Sequence, residues 1–163
     1  MKLLLSLFLF AFTFVATAQT TGQLFVKQKL LVLLSVADKD LPSLKLICKN
    51  ETGLIHQEEN DEVYNFTYQS PEHDYYINVS FYYNQLYCKK IKIEISPAST
   101  SDLEIGKLVT KVLKDKFKTK NDAVINEKAH TTNYFVADAK FSGILTMYDE
   151  SKKIILTLSA KQD

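Results

Sequence analysis

Hydrophobic and polar positions along the chain fall into two regimes, one with long apolar or helical spacing and one that alternates. Residues 3–15 are apolar apart from Ser6 and Thr13. Residues 23–37 are again strongly apolar, with Lys27, Gln28, Lys29 and Ser35 as the clearly polar members. That length predicts a largely buried helix rather than a strand. Asp38-Lys39-Asp40 interrupts it, and Asp40 is placed to cap a second short helix over 41–49. Pro42 would sit in the first turn of that helix, where a missing N–H costs nothing. From Gly53 onward the period changes to two. Residues 63–68 read as a strand, and 76–83 more clearly so, with Ile77, Val79, Phe81 and Tyr83 on one face against Asn78, Ser80 and Tyr82. Asn84-Gln85 predicts a hairpin turn. Residues 87–96 alternate again, Ile91, Ile93 and Ile95 against Lys90, Lys92 and Glu94, until Pro97 ends the strand.

Residues 101–118 return to helical spacing. Ser101-Asp102-Leu103-Glu104 matches a capping box, and Ile105, Leu108, Val109, Val112, Leu113 and Phe117 form one stripe. Strands are then expected over 123–128, 134–141 with 144–148, and 153–160, with a turn at Asp149-Glu150-Ser151. Helices separating runs of strands predict an α+β fold, not a parallel βαβ alternation. The expected sheet is antiparallel, of about six to eight strands in two meanders. An N-terminal helical region and one long amphipathic helix would pack on one face of it. No repeat or Pro/Gly-rich linker divides the chain, so residues 19–163 are expected to form a single domain.

The N-terminus reads as an address. Lys2 supplies a positive start, residues 3–15 an apolar middle, and Ala16-Thr17-Ala18 the small residues of a signal-peptidase site before Gln19. The apolar stretch is shorter than the ~20 residues that span a bilayer. Cleavage after Ala18 would deliver a periplasmic or secreted protein without a transmembrane segment. Export changes how Cys48 and Cys88 are read. An even pair, forty residues apart, can close a disulfide in an oxidising compartment, worth about 3–4 kcal/mol in a chain-entropy estimate. Spacing alone leaves open whether they bridge or stay as buried thiols. The sequons at Asn50, Asn65 and Asn78 would carry glycans only in a eukaryotic secretory pathway.

Composition removes several function classes. All 20 basic residues are lysines, against 19 acids, and the formal net charge is +1. Losing Lys2 with the signal makes the basic and acidic counts equal. Near-neutrality and the absence of arginine argue against a nucleic-acid partner. Four glycines, none in a phosphate-cradling pattern, leave no nucleotide or other cofactor motif.

The remaining chemistry is sparse. His56, Glu58, Glu59, Asp61 and Glu62, followed by Glu72, His73 and Asp74, could converge if 53–60 and 70–74 are loops at one end of a sheet. Such a set would suit zinc or calcium, or a hydrolase, although no pair has a recognised ligand spacing. His56, His73 and His130 lie in no nucleophile motif, so no catalytic residue is assigned. Lys107, Lys111, Lys114 and Lys118 align along the long helix. They make either an electrostatic surface for an acidic partner or anionic lipid, or simply a solvated face.

Aromatics are placed most unevenly. Nine lie between Tyr64 and Tyr87. Alternation puts Tyr76 and Tyr82 on the side of Asn78 and Ser80, and with Tyr64 and Tyr68 they are the candidate binding residues. Rigid, amphipathic tyrosines beside small polar residues suit recognition, although tyrosine also favours strands for packing alone. The chain resembles the small exported proteins of unassigned function of Bacteroidota in its Ala-Thr-Ala-Gln signal end, its lysine-rich, glycine-poor composition and its helix–strands–helix–strands order. That resemblance implies location and makes the sequons irrelevant. The expected function is therefore an exported, non-enzymatic binding module for a protein, peptide or glycan. The alternative is an envelope-associated hydrolase or metal-binding protein using the His56–Asp74 acidic loops.

Overall fold

The computed structural model describes residues 20–60, 62–84, 87–98, 104–117 and 124–161. The signal, its cleavage site, Asp61, Gln85, the first residues of the expected capping box and Lys118 lie outside them. Helix α1 (Thr21–Val36) starts two residues before the apolar run because Thr20 caps it. The Thr20 hydroxyl accepts from the Gln23 N–H at 3.1 Å, and the Gln23 side chain accepts from the Thr20 N–H at 3.4 Å. Phe25, Val26, Leu30, Leu33, Leu34 and Val36 are buried along it, and so is Lys29. Helix α2 (Leu41–Asn50) begins as expected at Asp40, whose carboxylate accepts from the Ser43 N–H at 2.9 Å. Leu44 and Cys48, one turn apart, face inward.

The chain then reverses at Gly53, whose φ of +78° favours glycine. A Cβ there would stand 2.5 Å from the Gln69 carbonyl. This turn leads into β1 (Leu54–Glu59), a segment expected to be a loop. Its side chains are almost all exposed, so it shows no alternation to read. What makes it a strand is backbone pairing with β2 (Val63–Gln69) at the sheet edge.

Strands β3 (Tyr75–Asn84) and β4 (Tyr87–Pro97) complete the first meander. Helix α3 (Glu104–Lys116) follows, burying Ile105, Leu108, Val109, Val112 and Leu113, with Phe117 buried just beyond its end. The second meander is β5 (Val124–Asn126), a one-turn 3-10 helix (Glu127–Ala129), β6 (Thr131–Ala137), β7 (Phe141–Tyr148) and β8 (Ile154–Ala160). The expected strand over 134–141 is divided because Asp138 makes a turn. Its carboxylate accepts from the N–H groups of Lys140 and Phe141 at 2.7 and 2.6 Å.

The architecture is α+β. All eight strands form one antiparallel sheet in the order β1-β2-β3-β4-β8-β7-β6-β5. The two meanders meet through their last strands, so the strand order reads the same outward from the β4–β8 seam. One row crosses the sheet on the helix side: Phe66, Val79, Ile93, Leu156, Leu145 and Tyr134. All but Tyr134 are buried, and they share one apolar cluster with the inward stripes of α1, α2 and α3. The helices therefore lie on one face, with α1 packed against both α2 and α3. Among the described residues, no helix is long and apolar enough to cross a membrane.

Lys29 is the exception within this core. It is 2 % exposed, and its ammonium donates to the Glu51 carboxylate at 2.7 Å and to the Thr52 carbonyl at 2.8 Å. It also stands 4.7 Å from the Tyr68 ring centroid and 5.3 Å from that of Phe25. A buried ammonium is tolerated only when paired and hydrogen-bonded in this way. Replacing Lys29 by Ala should cost about 3–5 kcal/mol, the usual range for breaking a buried pair. Lys29→Met keeps the bulk of the stem, and Glu51 can turn to solvent, so it should cost about half as much. Urea unfolding of the two variants tests this; equal losses would show that the lost ion pair, not the bulk of the stem, dominates.

Candidate functional site

Strict alternation gives the sheet a second face, opposite the helices. Its residues are the outward halves of the same strands: Asn65, Thr67 and Gln69 on β2, and Tyr76, Asn78, Ser80 and Tyr82 on β3, each half-buried or exposed. Tyr76 and Tyr82 thus stand on the uncovered face beside Asn78 and Ser80. The Tyr76 hydroxyl accepts from the Gln69 amide at 2.7 Å. The Lys90 ammonium lies 5.1 Å from the Tyr82 ring centroid. Both rings are held in place before any partner arrives.

Tyr64 and Tyr68 do not belong to this face. Tyr64 is 8 % and Tyr68 0 % exposed, because they share a side of β2 with Phe66 and that side carries α2. Tyr64 meets Tyr83 edge-on at 5.8 Å between centroids and lies under the Lys45 ammonium at 4.1 Å. The Tyr68 hydroxyl donates to the Cys48 carbonyl at 2.9 Å. They are packing residues.

Other groups complete the open face. The Thr67 hydroxyl donates to the Asn78 side-chain oxygen at 2.9 Å, and that of Thr146 to the Asn133 oxygen at 2.8 Å. Each pair leaves amide N–H groups for a partner. At mid-sheet Glu94 is bracketed by Lys153 at 2.8 Å and Lys92 at 3.6 Å. Partial burial raises its carboxyl pKa, but the hydrogen bond from Lys153 and the two positive charges outweigh this and hold it below the ordinary value. On the second meander Phe135 and Ile144 are cross-strand neighbours, 47 % and 41 % exposed. Sequence reasoning did not single them out. The signal was present: once Val136 points inward, Phe135 must point out.

The acidic segment does not converge. His56, Glu58 and Glu59 lie along β1, with Glu62 in the turn at one end of β2. His73 and Asp74 occupy the β2–β3 turn at the other end, about 20 Å from Glu62 for a strand of this length. Asp74 is committed locally, to the Ser70 hydroxyl. No group of three or more His, Cys, Asp or Glu side chains that could hold a metal occurs among the described residues.

The two cysteines are free thiols. Cys48 faces the core from α2, while Cys88, half-buried on β4, donates to the Lys90 carbonyl at 3.5 Å. Of the two outcomes the spacing left open, the bridge does not form; Cys88 stands across the strands from Tyr83. Burial pushes each thiol pKa up to about 11. Cys88 also lines a corner cavity of about 540 Å³ between the α1–α2 turn and the β6–β7 turn. Its charges are already engaged there: Lys140 pairs with Asp38 at 2.8 Å, and that hydrogen bond lowers the Asp38 carboxyl pKa. The buried Tyr83 hydroxyl has no hydrogen-bond partner among the described residues.

Comparison with protein-family models, with curated proteins and with solved structures finds no match to this chain.

Two measurements follow from the thiols and the Tyr83 hydroxyl. Because both thiol pKa values are raised, iodoacetamide labelling of the native protein should be slow near neutral pH and accelerate only as pH approaches about 11. Unfolding should expose two alkylatable thiols without reductant; finding none would establish a bridge. Tyr83→Phe removes an unpartnered buried hydroxyl, so it should leave stability unchanged or raise it by up to about 1 kcal/mol in urea unfolding.

Proposed function

We propose that this chain is an exported, non-enzymatic binding module that uses the open face of its sheet to hold a protein, peptide or glycan. The observation that carries the reading is that the three α-helices among the described residues all lie on one side of an eight-stranded sheet. The other side offers a broad surface with Tyr76, Tyr82, Phe135 and Ile144 spaced across it. Aromatic rings that are fixed, amphipathic and flanked by amides and hydroxyls bind with little loss of side-chain entropy. The charges at the middle of the surface, Glu94, Lys92, Lys153 and Lys90, are paired with one another or set over a ring, while Glu58 stands at its β1 edge. The surface therefore favours a partner of low charge density. Export rests on the signal pattern over residues 1–18, and cleavage after Ala18 would leave Gln19 as the first residue of the exported protein.

The test is Tyr76→Ala combined with Tyr82→Ala. Both side chains are half-buried on the surface, so the urea midpoint should stay close to that of the unaltered protein. Retention of envelope polypeptides and of arrayed glycans should fall at least about tenfold, the loss of roughly 1.4 kcal/mol or more. Equal retention by the two proteins would remove the open face as the working surface.

A further inference from the structure

Helices pack about 8–10 Å apart, whereas neighbouring strands lie about 4.8 Å apart, so one helix covers about two strands. The three α-helices among the described residues can therefore cover about six of the eight described strands. Helix α2 covers the β1–β2 edge, as the Lys45–Glu59 ion pair at 2.6 Å and the Tyr68–Cys48 hydrogen bond show. Helix α1 reaches β3. Helix α3 lies on β7, where the Thr110 hydroxyl is 3.9 Å from the Met147 sulfur. Among the described residues no helix closes over the middle of β6 or over β5, although Val136 at the end of β6 is buried in the core.

The consequence is visible at two equivalent positions. Phe66 and Tyr134 each stand two strands out from the β4–β8 seam, in the same row and on the helix side. Phe66, beneath α2, is 3 % exposed; Tyr134 is only half-buried. Further out, Ile125 on β5 shares that side through its pairing with Thr132 and is 68 % exposed. Between α3 and these strands runs a groove of about 440 Å³, floored by Tyr134 and Met147 and walled by Lys107, Lys111 and Lys114. Asp115 is the one acid that lines it. Lys107 is paired with Glu104 at 2.8 Å. Lys111 and Lys114 are exposed and make no ion pair among the described residues.

We propose that this groove receives an acidic amphipathic helix of a partner protein, in the position a fourth helix of the layer would take. The apolar stripe of that helix rests on Tyr134, Met147 and Ile125, and its carboxylates pair with Lys111 and Lys114. The strip left open beside α3, from Tyr134 on β6 to Ile125 on β5, is about the width of one helix. No stretch of the sequence outside the described residues has the acidic, helix-length character this groove calls for. The six residues between Phe117 and Val124 include Lys118 and Lys120 and would add positive charge, and residues 1–19 contain no acid. The surface is distinct from the open face described above and stands or falls separately.

The test uses a synthetic, end-blocked 14-residue peptide with leucines at helical spacing and glutamates flanking them, labelled for fluorescence anisotropy. Saturable binding is expected, weakened at least tenfold at high salt. A lysine-for-glutamate version of the peptide should not bind. Lys111→Glu with Lys114→Glu, both exposed and so harmless to the fold, should weaken binding at least tenfold, as should Tyr134→Ala. Tyr76→Ala with Tyr82→Ala should not change it, which separates this site from the open face. Equal binding of the acidic and basic peptides, or undiminished binding by the lysine double variant, would overturn the proposal. So would association with phosphatidylglycerol vesicles but not with the peptide, which would assign the lysines to a lipid surface. A concentration-dependent dimer abolished by the lysine double variant would assign the groove to a second copy of the chain and overturn it equally.

Discussion

The arrangement of the helical layer depends on one buried ammonium. Lys29 projects from the middle of α1 into a site closed by Glu51, Thr52, Phe25 and Tyr68. Those partners belong to the α2–β1 turn, to α1 itself and to β2. Net stability from such a pair is small, since desolvation offsets most of the attraction. Its influence is on geometry: any docking of α1 that moves Lys29 away from Glu51 leaves a charge in the core, at a cost of several kcal/mol. The hydrophobic stripe of α1 alone tolerates sliding and rotation on a surface of Ile and Val, because apolar contact is non-directional. The ammonium does not. It holds α1 toward β2 and the α2–β1 turn, and the whole layer is thereby set toward the β1 side of the sheet.

That offset explains why two meanders with the same strand order have such different surroundings. The first carries α2 at its edge, so Tyr64, Phe66 and Tyr68 are fully enclosed. The second carries only α3 near the seam; Val136 on β6 is enclosed, but Tyr134 is half-buried and Ile125 on β5 is exposed on the helix side. Antiparallel sheets tolerate one wet face; here β5 and the middle of β6 are accessible on both. A short β5 of three residues, followed at once by a 3-10 turn, limits how much edge is offered for further strand pairing.

What could be read beforehand divides along physical lines. Helix α3 and strands β3 and β4 were legible because each buries one face completely and solvates the other, so hydropathy carries the geometry. The antiparallel α+β class followed from their order. Strand β1 was not legible: its side chains are almost all wet, and the pairing that makes it a strand is carried by backbone groups that every residue shares. The Asp138 turn escaped notice because Val136 and Phe141 flank it with apolar side chains on both sides. For Lys29, nothing local distinguishes it from Lys27 two residues earlier; the difference lies in Glu51 and Tyr68, which come close only after folding. The tyrosines show the same limit. Periodicity placed Tyr64 and Tyr68 on one side of β2 with Phe66, but only the position of α2 decides that this side is closed. The cysteine pair stayed open for a related reason: loop length says what a bridge would be worth, not where each thiol points.

Charge shows how little a bulk count conveys. The chain is close to neutral, yet its lysines do separate jobs. Lys29 and Lys45 are spent inside the first half of the molecule, each against an acid and an aromatic ring. Lys92 and Lys153 neutralise Glu94 at the centre of the open face, and Lys140 ties the β6–β7 turn to the end of α1. On α3, by contrast, Lys111 and Lys114 face a groove floored by aromatic and thioether side chains, where desolvation by any occupant would strengthen their fields. The two surfaces of the sheet are thus chemically different. One is broad, aromatic and internally compensated; the other is narrow, apolar at its floor and positive along one wall. A partner suited to the first would leave the lysines of the second unsatisfied, so the two surfaces select for different ligands even though they lie on opposite sides of the same strands.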